Sequence, residues 1–197
     1  MQKIVLATES TYKKALFSRL NLNFDSVAAN VSEIALENEQ AETLAARLAR
    51  EKAEELKSRG EHKYDWVIGA DQAAQCGKYL VSKPGTHQQA AKDLSIYSGN
   101  KVDFYTAVCV MPPEQSPIEF TDKTSVLFRN LAAHEIENYL RIEQPYDCAG
   151  AFKAEGLGIT LFNSIESEDP TALIGLPLIK LAQALRSQGL NCYTESL

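Results

Sequence analysis

The chain has 197 residues, 45% of them apolar, and a formal net charge of −6. That length suits a single compact α/β domain spanning residues 1–197, with enough apolar content for a real core. The acidic balance argues against broad nucleic-acid binding, which needs a basic footprint, but leaves room for a small basic pocket.

Residues 3–7 read as a buried strand. The apolar stretch is too short for a signal peptide, and no run approaches the roughly 20 apolar residues of a membrane span. A cytoplasmic protein with no membrane or nucleic-acid partner is expected. Ser10 can cap a helix running to about residue 20, followed by a loop or extended segment to about residue 37. Residues 40–59 form the strongest helical pattern. Residues 66–70 read as an apolar strand closed by Asp71-Gln72, and residues 79–82 as a short strand ending at Lys83-Pro84-Gly85. A helix is expected over 88–96, strands over 102–110 and 125–129, and an amphipathic helix over 133–142. A strand over 158–163 and a final helix over 176–187, opened near Pro177, complete the chain. This order predicts an α/β fold: a mixed, elongated, twisted sheet flanked by helices, with a cleft between two lobes. Cys76, Cys109, Cys148 and Cys192 lack zinc-site spacing and read as reduced, mostly buried thiols. His62, His87 and His134 sit in polar surroundings and read as surface residues.

Several polar residues stand where phosphate chemistry would need them. The turn from Thr8 to Lys14 links a strand to a helix. Free backbone N–H groups, the helix dipole, Ser10, Thr11, Lys13 and Lys14 could hold phosphate there, or Ser10 could simply cap a helix with solvated lysines. On a helical wheel Lys52 falls inside the apolar stripe of Ala45, Leu48, Ala49, Ala53 and Leu56. It must either snorkel out or meet an anion. Asp71 closes an apolar strand, and strand ends in open α/β sheets face ligand crevices. A carboxylate there can deprotonate water or hold a metal, or merely cap a turn. Lys83 precedes a rigid turn. Residues 150–158 carry three glycines; in extended backbone Lys153 and Glu155 there would share a face. Glu33 is a further carboxylate in an irregular segment. No Walker A sequence, GxSxG or kinase signature is present.

In order along the chain, these pieces resemble the Maf family of nucleotide pyrophosphatases. The family's opening turn, Leu-Ala-Ser-x-Ser-Pro-(x)-Arg-Arg, is similar to Leu6-Ala7-Thr8-Glu9-Ser10-Thr11-Tyr12-Lys13-Lys14. The loop glutamate resembles Glu33, the helix lysine Lys52 in Glu51-Lys52-Ala53, and the core motif Gly69-Ala70-Asp71. Lys83-Pro84, Ser98-Gly99 and Gly175-Leu176-Pro177 match further blocks. The resemblance implies hydrolysis of a nucleoside triphosphate between its α and β phosphates. Asp71 would be the proton acceptor, and Ser10, Lys13, Lys14, Lys52 and Lys83 would hold phosphate. A divalent cation, Mg or Mn, would sit on Glu33 and Asp71. Tyr12, Gln72 and Glu155 occupy the positions that separate the family's base preferences and resemble the 7-methyl-GTP branch. There an aromatic face would attract the cationic ring, and a carboxylate would accept from the guanine N1–H and amine. The alternatives are a dTTP/UTP pyrophosphatase or a nucleotide-binding regulator of cell division. A homodimer is compatible with all three.

Overall fold

The computed structural model describes residues 2–59 and 64–193. His62 lies outside the described residues. In chain order the elements are β1 (Ile4–Ala7), α1 (Thr11–Ser18), β2 (Phe24–Val27), α2 (Ala41–Ser58), β3 (Trp66–Cys76), β4 (Tyr79–Val81), α3 (His87–Tyr97), β5 (Lys101–Met111), β6 (Ile118–Phe128), α4 (Ala133–Glu143), β7 (Phe162–Ser167) and α5 (Leu178–Ser187). Short 3-10 turns lie at Ala149–Ala151, Leu157–Leu161 and Ala172–Ile174.

Seven strands form one mixed sheet in the order β2-β1-β3-β5-β6-β7, with β4 paired to β3. β1 runs parallel to both β2 and β3, whereas β3, β5, β6 and β7 follow one another antiparallel. The three central strands of 11 residues each make the sheet long.

Alternation along these strands sorts their side chains onto two faces. The odd-numbered face of β3 and β5 packs Val67, Ala73, Ala107 and Cys109 against α2 residues Ala41, Leu44, Ala45, Leu48, Ala49 and Ala53. The opposite face holds two separate clusters. One joins Ile68, Ala70, Val108 and Val110 to α1 and α5 through Leu16, Phe17, Leu181 and Leu185. The other joins Ala74, Phe104, Val126 and Phe128 to α3 and α4 through Leu94, Tyr97, Ile136 and Leu140. Each fully buried leucine adds about 1.5–3 kcal/mol by leaving water, so each lobe has its own apolar anchor. Between the clusters runs a polar row, Gln72–Thr106–Asp122, in register across β3, β5 and β6. That row marks the border of the two lobes.

Three expectations are corrected. β3 does not stop at Asp71 but continues to Cys76, paired with β5 from Val67 through Gln75. The apolar run ends there because Asp71 enters a cleft, not because the strand ends. The strand expected over 158–163 begins only at Phe162, because Gly156 to Leu161 winds as a turn and a 3-10 segment. The strand expected over 125–129 begins already at Ile118, as β6, because it pairs with β5 along its whole length; residues 24–27, within the segment read as loop or extended, are extended and form β2 on the edge of the sheet. All four cysteines are free, but only Cys109 is buried; the others are half-buried. His134 is exposed. His87 instead bridges the Tyr146 hydroxyl and Glu137 at 2.9 and 2.8 Å.

Candidate active site

The free edge of β3 changes partners along its length. β1 covers Trp66 to Gly69, β4 covers Ala74 to Cys76, and residues 70–73 between them have no strand partner on that edge among the described residues. A cleft of about 850 Å³ opens at this break. Because alternate residues project to opposite faces, Asp71 leaves the break toward α2 and Gln72 toward the lobe border.

Lys52 reaches Asp71 because α2 lies unusually close to β3. A Cβ on Gly69 would stand 2.0 Å from the Ala49 carbonyl oxygen and 2.8 Å from the Ala53 nitrogen, so only glycine admits the helix here. Lys52 does not snorkel to solvent; it meets two carboxylates. Its ammonium bonds Asp71 Oδ1 at 2.6 Å and Glu33 Oε1 at 2.5 Å. The Lys52 and Asp71 side chains are only 12% and 11% exposed, so this pair is largely desolvated, whereas Glu33 is 55% exposed. Burial pulls the Lys52 ammonium down, but the charges and hydrogen bonds of Asp71 and Glu33 outweigh it and hold it above its usual range. Burial likewise pushes Glu33 up, but Lys52, with Lys83 and Lys13 behind it, holds it below the usual carboxylate range.

Lys13 stands beside this pair in the first turn of α1. Ser10 caps that helix, its hydroxyl accepting from the Lys13 N–H at 3.4 Å. Burial pushes the Lys13 ammonium down; Asp71 pulls it back up, while Lys52 and Lys83 add repulsion. Three lysines therefore crowd two carboxylates at one end of the cleft.

Acids line the other end. Tyr12 projects there, its hydroxyl 3.9 Å from Cys148 Sγ. Burial, then Cys148, Glu155 and Asp147, push its pKa up to about 12, leaving a neutral phenol at ordinary pH. Asp147 and Glu155 line this end of the cleft. Gln72 faces it with a fixed amide. The two N–H groups of its Nε2 are shared among three acceptors, Thr106 Oγ1, the Ala172 carbonyl and the Leu173 carbonyl, at 2.9, 3.0 and 3.1 Å. Thr106 gives its one hydroxyl proton to the Ala172 carbonyl at 2.9 Å, so it can only accept from Gln72. Flipping the amide would set oxygen against two carbonyl oxygens, so Gln72 offers Oε1, an acceptor, to the cleft.

Of the residues selected from sequence, Ser10, Tyr12, Lys13, Glu33, Lys52, Asp71, Gln72, Lys83 and Glu155 all line this cleft. Lys14, one position further along α1, is not among the residues that line it. Lys153 and Glu155 do not share a face either. The chain turns at Ala154 to Gly156, and Lys153 pairs with Glu143 at 3.6 Å instead. Sequence reasoning missed Thr106 and the 3-10 turn at Ala172–Ile174, whose partnership with Gln72 spans 34 to 101 residues and leaves no local signal. Asp147 was also missed, although it adjoins Cys148. Among the described residues no group of three or more His, Cys, Asp or Glu could hold a metal by itself, and no helix is long and apolar enough to cross a membrane.

Comparison with known proteins finds relatives that match nearly the whole chain. A relative from Xanthomonas axonopodis pv. citri, named 7-methyl-GTP pyrophosphatase, is 48% identical over 96% of this chain and 98% of its own. Relatives of the same name from Saccharophagus degradans and Colwellia psychrerythraea are 45% and 40% identical, covering 93% and 99% of this chain and 92% and 97% of theirs. Among solved structures, a nucleoside-triphosphatase, dITP/XTP pyrophosphatase, from Mycobacterium abscessus aligns over 96% of both chains at 15% identity with a TM-score of 0.46. The family model described as Maf-like protein matches residues 3–188, and the chain belongs to the Maf family.

Proposed function

We propose that the chain is a nucleoside-triphosphate pyrophosphatase that converts 7-methyl-GTP to 7-methyl-GMP and pyrophosphate. The observation that carries this reading is the electrical division of the cleft. Lys13, Lys52 and Lys83 outnumber Glu33 and Asp71 at one end, and Asp147 and Glu155 stand at the other, with the neighbours Tyr12 and Lys13 facing opposite ends from one helical turn. A 7-methylguanine nucleotide has the complementary form: a cationic ring joined to a polyanion. Near a protein surface, opposite charges 4 Å apart attract by about 4 kcal/mol at an effective dielectric of 20. The relatives' shared name supports the same substrate.

In this reading the lysines and Ser10 hold the triphosphate, and Asp71 accepts the proton of the water that attacks the α–β phosphoanhydride. Asp71 accepts a hydrogen bond from Lys52. Phosphate oxygens offer Lys52 a competing set of acceptors, and that exchange releases a carboxylate oxygen for the water. Such catalysis rests on positioning and electrostatics. Glu33 and Asp71 meet on one ammonium, and two carboxylates plus phosphate oxygens form the usual donor set for Mg²⁺. They would hold a divalent cation that offsets phosphate charge. At the ring end, Tyr12 supplies an aromatic face, and Glu155 and Gln72 supply acceptors for guanine N–H groups.

A triphosphate panel with pyrophosphate detection tests the reading. Wild type should prefer 7-methyl-GTP over GTP, dTTP and UTP. Asp71→Asn should lose about 10²–10⁴-fold in kcat while still binding nucleotide. Preference for dTTP or UTP would transfer the protein to the pyrimidine reading. Absence of hydrolysis with Mg²⁺ or Mn²⁺ would leave a nucleotide-binding regulator instead.

A further inference from the structure

Glu155 is exposed and sits in a turn, so its own contacts do not hold it at the cleft. The clamp that does so is Glu143, the last residue of α4. Its Oε2 accepts from the Leu157 N–H at 2.8 Å. Its Oε1 lies 3.6 Å from Lys153 Nζ, and the same ammonium donates to the Glu143 carbonyl at 3.2 Å. Glu143 therefore grips the turn two residues before and two residues after Glu155. Tyr139, one helical turn earlier, adds a third tie by accepting from the Lys153 N–H at 3.3 Å.

Two features show that this arrangement is specific. A carboxylate at a helix C-terminus opposes the macrodipole, so α4 by itself would prefer another residue there. In addition, a Cβ on Gly156 would stand 2.9 and 3.0 Å from the two Glu143 carboxylate oxygens. The carboxylate lies flat across the one position of the turn that lacks a side chain. A residue unfavourable to its own helix but bonded to both flanks of a neighbouring turn is placed for the turn's sake.

We propose that Glu143 is a positioning residue for base selection: it fixes the turn of residues 153–157 so that Glu155 faces the acidic end of the cleft. This rests on the reading of Glu155 as a selector of the methylated base.

The test is the ratio of kcat/KM for 7-methyl-GTP to that for GTP, measured in wild type, Glu155→Gln, Glu143→Ala, Glu143→Gln and the Glu143→Ala/Glu155→Gln double variant. Glu143→Ala should lower the ratio about tenfold, mainly through KM for the methylated substrate, because a charged hydrogen bond and an ion pair release the turn. Glu143→Gln keeps an oxygen for the Leu157 N–H and should stay within about threefold of wild type. The double variant should fall no further than Glu155→Gln, since both changes disable one device. If Glu143→Ala folds poorly, Gly156→Ala displaces the carboxylate from the other side and should lower the ratio in the same direction. Equal losses on both substrates in Glu143→Ala, or an unchanged ratio while Glu155→Gln loses selectivity, would overturn the clamp alone. A wild type without preference for the methylated base, or a Glu155→Gln variant that keeps it, would overturn the reading of Glu155 and the clamp together.

Discussion

Gly69→Ala should uncouple the site from the fold with one methyl group. The added Cβ would stand 2.0 Å from the Ala49 carbonyl oxygen, and ordinary contact begins at 3.4 Å. The obstacle is helix backbone, which no rotamer change can move. Helix α2 must therefore retreat by about 1.4 Å near Ala49 and Ala53, the turns that flank Lys52. Overpacking of this kind costs about 1–3 kcal/mol, and the short contact puts this case near the upper end. Alanine recovers about 0.5–1 kcal/mol because it loses less chain entropy than glycine on folding. The net loss of about 2 kcal/mol corresponds to a Tm lower by roughly 4–8 °C in a chain of this size. The same retreat would stretch the 2.6 Å Lys52–Asp71 contact toward 4 Å, beyond hydrogen-bonding range. Misplacement of about 1 Å costs on the order of 10²-fold in rate. Calorimetry and turnover on the folded variant read the two effects separately. A variant with wild-type Tm and wild-type kcat would show that the close approach of α2 neither limits stability nor sets the site.

Lys13→Met should keep or raise stability while lowering kcat/KM at least tenfold, because burial disfavours the ammonium and the proposed function sets it against phosphate. The sign follows from its depressed pKa. Below the folded value both states carry the proton and the fold bears the full cost; that cost fades as pH rises toward the ordinary 10.5. The gain in Tm of the methionine variant should therefore shrink on that alkaline limb, and a gain that grows there would refute the assignment. Glu33 has the opposite sign. Its pKa is held below 4.5, so its contribution is complete above that value and disappears as pH falls through the folded value. With the side chain 55% exposed, Glu33→Gln should cost no more than about 1 kcal/mol at neutral pH. Its Tm difference from wild type should vanish in acid; a difference that persists there would mean that Glu33 acts through packing and not through charge.

Much of the site was legible because its residues violate the patterns around them. Lys52 interrupts an apolar helical stripe, and such an interruption needs an anion or a route to water; the structure supplies Asp71 and Glu33. Asp71 ends an apolar run for a similar reason. Lys14 stands outside the cleft that Lys13 lines, because adjacent residues in a helix differ by a large rotation that a motif read as a string does not register. Lys153 was misjudged because the alternation argument presumed extended backbone where Gly156 permits a turn. Partners far apart in sequence, such as Gln72 with Thr106 and the Ala172 carbonyl, require the register of β3 on β5.

The placement of Asp71 and Gln72 carries the main physical lesson. Consecutive residues of a strand point to opposite faces of the sheet, so two neighbours in mid-strand cannot ordinarily line one cavity. At a strand end the chain leaves the sheet and is free to turn, which would lift that restriction. The structure resolves it differently: β3 continues, and the neighbouring strand stops. β1 ends at Ala7 opposite Gly69, and β4 begins pairing only at Ala74, so a ligand can wrap around the bare edge and touch both faces. In this arrangement the strand stays rigid through the site, held by β5 along its other edge. Asp71 and Gln72 thus reach the two faces of the sheet from one stiff support, and under the proposed function adjacent residues would read the phosphate end and the base end of a single nucleotide.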